Sequence, residues 1–148
     1  MIRVADDRDI ATLAEMRRRS SEERRGTGPD PGFVDRFRAW FNAEAHQRTF
    51  WLAAHDGKAA GMTNLLTFER MPAPDIDAGR WGYLGNMYVV PEHRVRGLGR
   101  QLLDVVVAHA DARGLERIVL SPSERSVPFY RRAGFDDAHH LLVRPPSS

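Results

Sequence analysis

The sequence predicts an α/β or α+β fold in a single domain over residues 1–148, and three features carry that reading. Strand-like and helix-like segments follow one another in the order β, α, α, β, β, β, α, β, α, β. A strand-like run, WGYLGNMYVV, leads directly into PEHRVRGLGRQLL, where arginines and glycines open a patterned helix. The length of 148 residues suffices for one hydrophobic core, and no linker or repeat divides it.

The elements follow in order. MIRVA reads as a first strand. Asp6, Asp7 and Asp9 offer N-caps to a helix whose apolar face is Ile10, Leu13, Ala14 and Met16. That helix fades toward Gly26, Gly28, Pro29 and Pro31. Phe33, Phe37, Trp40, Phe41 and Ala45 recur at helical steps and predict a second helix. TFWLAAHDGKAAGMTNLLTFER predicts two strands around the turn Asp56-Gly57. RMPAPDIDAGR, with its two prolines, is a loop. After the fourth strand, Leu98, Leu102, Leu103, Val106 and Ala110 form the buried face of a third helix that Gly114 ends. RIVLS predicts a fifth strand, SVPFYRRAGF a short helix stopped by Gly134, HHLLVR a last strand, and PPSS a frayed tail.

Composition narrows the function classes. Hydrophobic content of 42% and charged content of 28% are ordinary for a globular protein. No apolar run approaches the roughly 18 residues of a membrane span. The acid-bearing start does not resemble a signal peptide, so the expected location is cytoplasmic and no membrane partner is expected. The absence of cysteine excludes disulfides, zinc–thiolate sites and cysteine nucleophiles. The six histidines show no ligand spacing, so no metal site is expected. Net charge is only +2 and the arginines are scattered among acids, which argues against a nucleic-acid partner.

Residues 91–103 pose the chemical question. Unpaired N–H groups at a helix start bind phosphate when the backbone can come close, and Gly97 and Gly99 permit that. Arg94, Arg96 and Arg100 add forked donors. The ATP-binding P-loop requires Lys-Ser/Thr where Arg100-Gln101 stands, and the dinucleotide fingerprint requires a third glycine where Leu102 stands.

R-V-R-G-L-G, Arg94 to Gly99, resembles the R/Q-x-x-G-x-G/A signature of the GNAT-superfamily N-acetyltransferases. NMYVVPEHR is similar to that family's fourth strand and its exit. SVPFYRRAGF is similar to its late A-x-x-F-Y-x-x-x-G-F helix, with Ser126 where alanine is usual. The resemblance implies a central, mixed, mostly antiparallel sheet splayed between strands four and five, with helices on both faces. It implies acetyl-CoA as co-substrate, its pyrophosphate on the amides of Arg94, Val95, Arg96, Gly97, Leu98, Gly99 and Arg100. It implies a pantetheine arm bonded by the backbone of Met87, Val89 and Val90, with the Val89 amide near the thioester carbonyl. Tyr130 matches the family's general acid, since a phenol holds its proton at neutral pH and can give it to a thiolate. Ser123 could bond the arm or, like Ser126, cap the helix.

The general base departs from the family pattern. Many relatives carry a glutamate where Tyr83 stands, and WGYLGNMYVV contains no carboxylate. Glu69, at the end of the third strand, is one candidate; a water chain held by Asn86 or by backbone groups is another. The implied reaction is direct transfer of acetyl to a primary amine of a small molecule or peptide in a ternary complex. The alternative is an acyl-CoA-binding module without catalysis. The acceptor is not readable, and dimerisation, common in that family, makes a homodimer a partner the resemblance allows.

Overall fold

Residues 1–147 are described here by a computed structural model. β1 (Ile2–Val4), β2 (Arg48–His55), β3 (Lys58–Glu69) and β4 (Arg80–Val89) pair antiparallel in sequence, and β5 (Arg117–Leu120) joins β4 in parallel. The result is one five-stranded mixed sheet in the order β1-β2-β3-β4-β5. α1 (Ile10–Arg25) and α2 (Phe33–Glu44) cover one face; α3 (Leu98–Ala112) and α4 (Val127–Arg132) belong to the other.

Strand periodicity divides the core. Along β2, Phe50 and Leu52 pack with Ile10, Leu13, Phe37 and Phe41, while Trp51 and Ala53 pack with Leu102, Leu103 and Val106. The apolar stripe read on the third helix is therefore the stripe that is buried. Hairpin β2–β3 turns on Asp56 and Gly57, both at positive φ (50° and 76°), as its two-residue type I′ connection requires.

The helix ends follow local chemistry. The Asp6 carboxylate accepts the Arg8 N–H at 2.9 Å, and Asp9 accepts the Asp6 N–H at 2.9 Å, a reciprocal cap on the turn leading into α1. At the end of α3 the Leu115 N–H reaches back to the Ala110 carbonyl at 3.0 Å around Gly114. At the end of α4 the Phe135 N–H does the same to Tyr130 at 3.1 Å around Gly134, and both Leu115 and Phe135 return to the core.

One expected element is corrected. His139–Arg144 do not form a last strand: 139 and 140 are a turn, and the following described residues have no regular structure. Leu142 and Val143 are almost fully exposed (98% and 89%). A strand exists through its partner's ladder, and the Leu141 N–H is turned instead onto the Ala138 carbonyl at 3.3 Å. Pro145 and Pro146 then remove two donors.

Candidate active site

The site begins where β4 loses a partner. β5 pairs with β4 only from Trp81 to Leu84, whereas β4 runs on to Val89. On its other side β4 carries one extra residue: Asn64 stands opposite Gly85, yet Met62 stands opposite Tyr88. Asn86 takes φ 55° within this bulge, a left-handed conformation that asparagine tolerates. The displaced Gly85 carbonyl is kept satisfied by Thr63 Oγ1 and Asn64 Nδ2, each at 3.1 Å. Arg48 in turn holds Asn64 Oδ1 at 2.8 Å and Glu44 at 2.5 Å.

Beyond the bulge the backbone is partitioned. The Val90 N–H donates to the Ala60 carbonyl at 2.9 Å, and the Val90 carbonyl accepts the His93 N–H at 3.0 Å. Strand alternation therefore turns the backbone of Val89 and Met87 toward the side that β5 has left. Val90, expected among the cofactor-binding residues, has its N–H bonded within the sheet and its side chain in the core with α1.

The turn after β4 supplies the donors. Val95 has φ 67° with its side chain fully exposed, and Gly97 has φ 78° at the start of α3, with no side chain capping that start. A β-branched residue at positive φ is costly, so the turn is held by its surroundings. The first amides of α3 have no partner within the helix. Beside them lies a cavity of about 390 Å³ lined by Val89, Gly97, Gly99, Arg100, Phe129 and Arg132, among others. A Cβ on Gly99 would stand 3.7 Å from Phe129 and 3.8 Å from Val89, so this glycine faces the cavity.

The arginines of the turn differ in their partners. Arg94 gives Nε to the Val89 carbonyl at 2.9 Å and Nη2 to Glu23 at 2.6 Å, and Glu23 also accepts the Tyr88 hydroxyl at 2.6 Å. Its side chain braces α1 against the exit of β4 and also lines the cavity. Arg100 is paired with Asp104 at 2.9 Å. Arg132, which the sequence reading overlooked, lines the cavity three residues after Phe129, on the same helical face.

Tyr130 is half-buried between Phe129 and Phe135, with ring centroids 5.0 and 5.7 Å away. Burial pushes its phenol above the usual tyrosine range. Both aromatic residues of α4 thus pack on the α3 side. Ser123 donates to Ser126 Oγ at 3.0 Å, and Ser126 donates to the Ser123 carbonyl at 2.9 Å, so they bond each other and neither hydroxyl caps a helix. Glu69 stands opposite Arg80 at the closed end of the sheet, five residues beyond Asn64. At about 3.4 Å per residue that is roughly 17 Å from the bulge, and the fold does not bring Glu69 to the splay.

A second cavity, of about 340 Å³, opens on the opposite face of β4. Asn86 and Asn64 meet it from the sheet; Phe33, Phe37 and Trp40 line it from α2, and Arg17 from α1. Asn86 thus faces one cavity and Val89 the other across the same bulged strand.

Comparison with known proteins agrees with this geometry. The model of the acetyltransferase (GNAT) family matches residues 12–135. A glucosamine 6-phosphate N-acetyltransferase from Trypanosoma brucei brucei is 33% identical over 63 residues, 43% of this chain and 42% of that protein. A mycothiol acetyltransferase from Cellulomonas flavigena is 32% identical over 114 residues, 72% of this chain and 31% of that protein. The chain therefore spans less than half the length of these curated relatives. A predicted acetyltransferase from Clostridium acetobutylicum, crystallised with acetyl-CoA, superposes with a TM-score of 0.80 at 26% identity, covering 98% of this chain and 95% of that one.

Proposed function

Because the chain belongs to the GNAT acetyltransferase family, we propose that residues 1–148 form one catalytic domain. It transfers the acetyl group of acetyl-CoA to a primary amine of a small molecule or peptide, by direct attack in a ternary complex. One arrangement supports this reading above all: the open edge of β4 beyond Leu84 adjoins the uncapped start of α3, with Gly99 facing the cavity between them.

The residues fit the co-substrate in kind. Amides at the start of α3, with Arg96 and Arg132, suit a pyrophosphate. The edge of Met87 and Val89 that β5 leaves, where Arg94 already holds the Val89 carbonyl, suits an amide-bearing arm that would satisfy the remaining backbone groups. Bound acetyl-CoA supplies an activated thioester. The Val89 N–H is the donor proposed to polarise its carbonyl, and Tyr130 the residue proposed to hold a proton for the departing sulfur. Ser123 keeps a proposed role beside the arm. Glu69 has none, and the amine's proton is assigned to water along the Gly85–Asn86 bulge.

Calorimetry with CoA, followed by thiol release over a panel of amines with acetyl-CoA, tests this reading. Binding with turnover of at least one amine is expected. CoA binding without turnover of any amine would leave a non-catalytic acyl-CoA module, and no CoA binding would overturn both.

A further inference from the structure

Among the described residues, Arg17 has no counter-charge. It projects from α1 into the cavity that Asn86 and Asn64 line, and its Nη1 is buried without a hydrogen-bond partner. Several guanidinium groups around it are neutralised. Arg18 is held by Glu15 and Glu22, and Arg19 by Glu92. Arg36, across the cavity, is held by Asp30 at 2.5 Å, and Arg48, 5.1 Å from the Trp40 ring, by Glu44. The charged groups that act on Arg17 are Arg24 and Arg25, both repulsive.

Such a cation is costly to the empty protein. Guanidinium stays protonated under all ordinary conditions, so it cannot escape its burial by losing charge. A desolvated donor left unmade forfeits its hydration without return. Helical spacing makes the placement specific: Arg17 continues the stripe of Ile10, Leu13 and Ala14, all buried, where an apolar residue would serve packing better.

The rest of the cavity describes what would relieve that cost. Phe33, Phe37, Trp40 and Phe50 give it an aromatic wall, and Asn64, Asn86 and Thr63 give it a polar floor against the bulge. At about 340 Å³ it is of small-molecule size. Apart from Arg17, the charged residue at its edge is Arg36, already paired.

We propose that Arg17 is the anion-recognition residue of the acceptor pocket, and that the acceptor is a small primary amine carrying a carboxylate or phosphate on an apolar or aromatic body. This rests on the acetyl-transfer reading, and it names the acceptor class that reading leaves open. The anion docks on the Arg17 fork, the apolar body lies along Phe33, Phe37 and Trp40, and the amine is directed to the bulge at Asn86.

Matched pairs of amines test it. One pair is 4-(2-aminoethyl)benzoate against 4-(2-aminoethyl)benzamide; the other is tyramine O-phosphate against tyramine. Binding to the CoA-loaded protein is measured by calorimetry, and turnover by thiol release. The parent should favour the anionic member of at least one pair by about tenfold or more, the scale of a charge-assisted hydrogen bond. Arg17→Gln should reduce that preference to near unity, and Arg17→Lys should keep part of it. The pair that responds identifies carboxylate or phosphate. Arg17→Gln should also melt no lower than the parent without ligand, because it removes an unpaired charge; a clear drop in melting temperature would mark Arg17 as a packing residue and overturn the proposal. Equal binding within both pairs, no binding of either anionic amine, or a preference that survives Arg17→Gln would overturn it as well. Anionic amines that bind through Arg17 yet are never acetylated would leave the anion site standing and sink the acetyl-transfer reading instead.

Discussion

Arg94 and Glu23, 71 residues apart in sequence, meet at 2.6 Å, and the contact ties α1 to the end of β4. Tyr88 completes the cluster from the sheet, with the Arg94 guanidinium 5.6 Å from its ring. Burial alone would raise the Glu23 carboxyl, but hydrogen bonds from Arg94 and Tyr88 outweigh it and hold its pKa below the usual range. A depressed carboxyl contributes stability above its unfolded pKa, about 4.3, and loses that contribution as pH falls through the folded value. Glu23→Gln should therefore melt below the parent at pH 7, by an amount equivalent to about 1 kcal/mol for a partly exposed pair. The difference should shrink below about pH 4. Thermal melts of both proteins across pH 3–7 check it; a constant difference would mean the charge is immaterial.

Tyr88 in the same cluster is pushed up to about 12, first by burial and then by Glu23. A raised phenol contributes stability that is fully present below about pH 10 and lost as pH climbs toward the folded value. The parent should lose more stability than Tyr88→Phe between pH 10 and 12, measured by denaturant midpoints. Parallel losses would remove Tyr88 from the account.

The two glycines of the turn should separate cleanly. Gly97 is at φ 78°, so Gly97→Ala should cost about 1 kcal/mol of stability through backbone strain. Gly99 is not at positive φ, and a side chain there meets Phe129 and Val89 at ordinary contact distance. Gly99→Val should therefore fold normally yet lower CoA affinity by about tenfold or more, because its methyls enter the cavity. Equal CoA affinity in parent and variant would dissociate the turn from the co-substrate.

How much of this was legible in the sequence differs by element. The α3 stripe and the Asp-Gly and Gly-terminated turns were readable because each follows from a local period or a backbone constraint. The absent last strand was not: His139–Arg144 has strand-like residues, but pairing depends on a ladder elsewhere in the chain. The contact of Arg94 with Glu23 was hidden, because nothing near Arg94 in sequence announces Glu23. The bulge was hidden too, although Gly85-Asn86 carries its trace, a residue that accepts positive φ. Arg17 left a plainer signal, since it falls on the apolar stripe that begins at Ile10 while Arg18 and Arg19 do not.

Tyr130→Phe should leave CoA affinity within about twofold and lower turnover by roughly 10²–10⁴. The raised phenol predicts no alkaline loss of activity below about pH 10 from this residue. Stopped-flow turnover under conditions where chemistry limits the rate checks both. Turnover within about twofold of the parent would leave Tyr130 as packing between Phe129 and Phe135.

The last prediction concerns the proton of the acceptor amine. Glu69 lies opposite Arg80, at the end of the sheet where β4 and β5 are still paired, and no carboxylate in β4 takes its place. With water along the bulge as the route, no single enzyme carboxyl sets the acidic limb of kcat/KM. Activity should then follow the fraction of neutral amine, rising about tenfold per pH unit until the acceptor's own pKa is reached. Two acceptors of different amine pKa should give curves displaced by that difference, and Glu69→Gln should leave both curves unmoved. If the limb were instead fixed at one pH for both amines and abolished in Glu69→Gln, that glutamate would have to reach the amine across roughly 17 Å of strand. Only a large rearrangement of β3 or a contribution from a second copy of the chain could then account for the result, and the water route would fail.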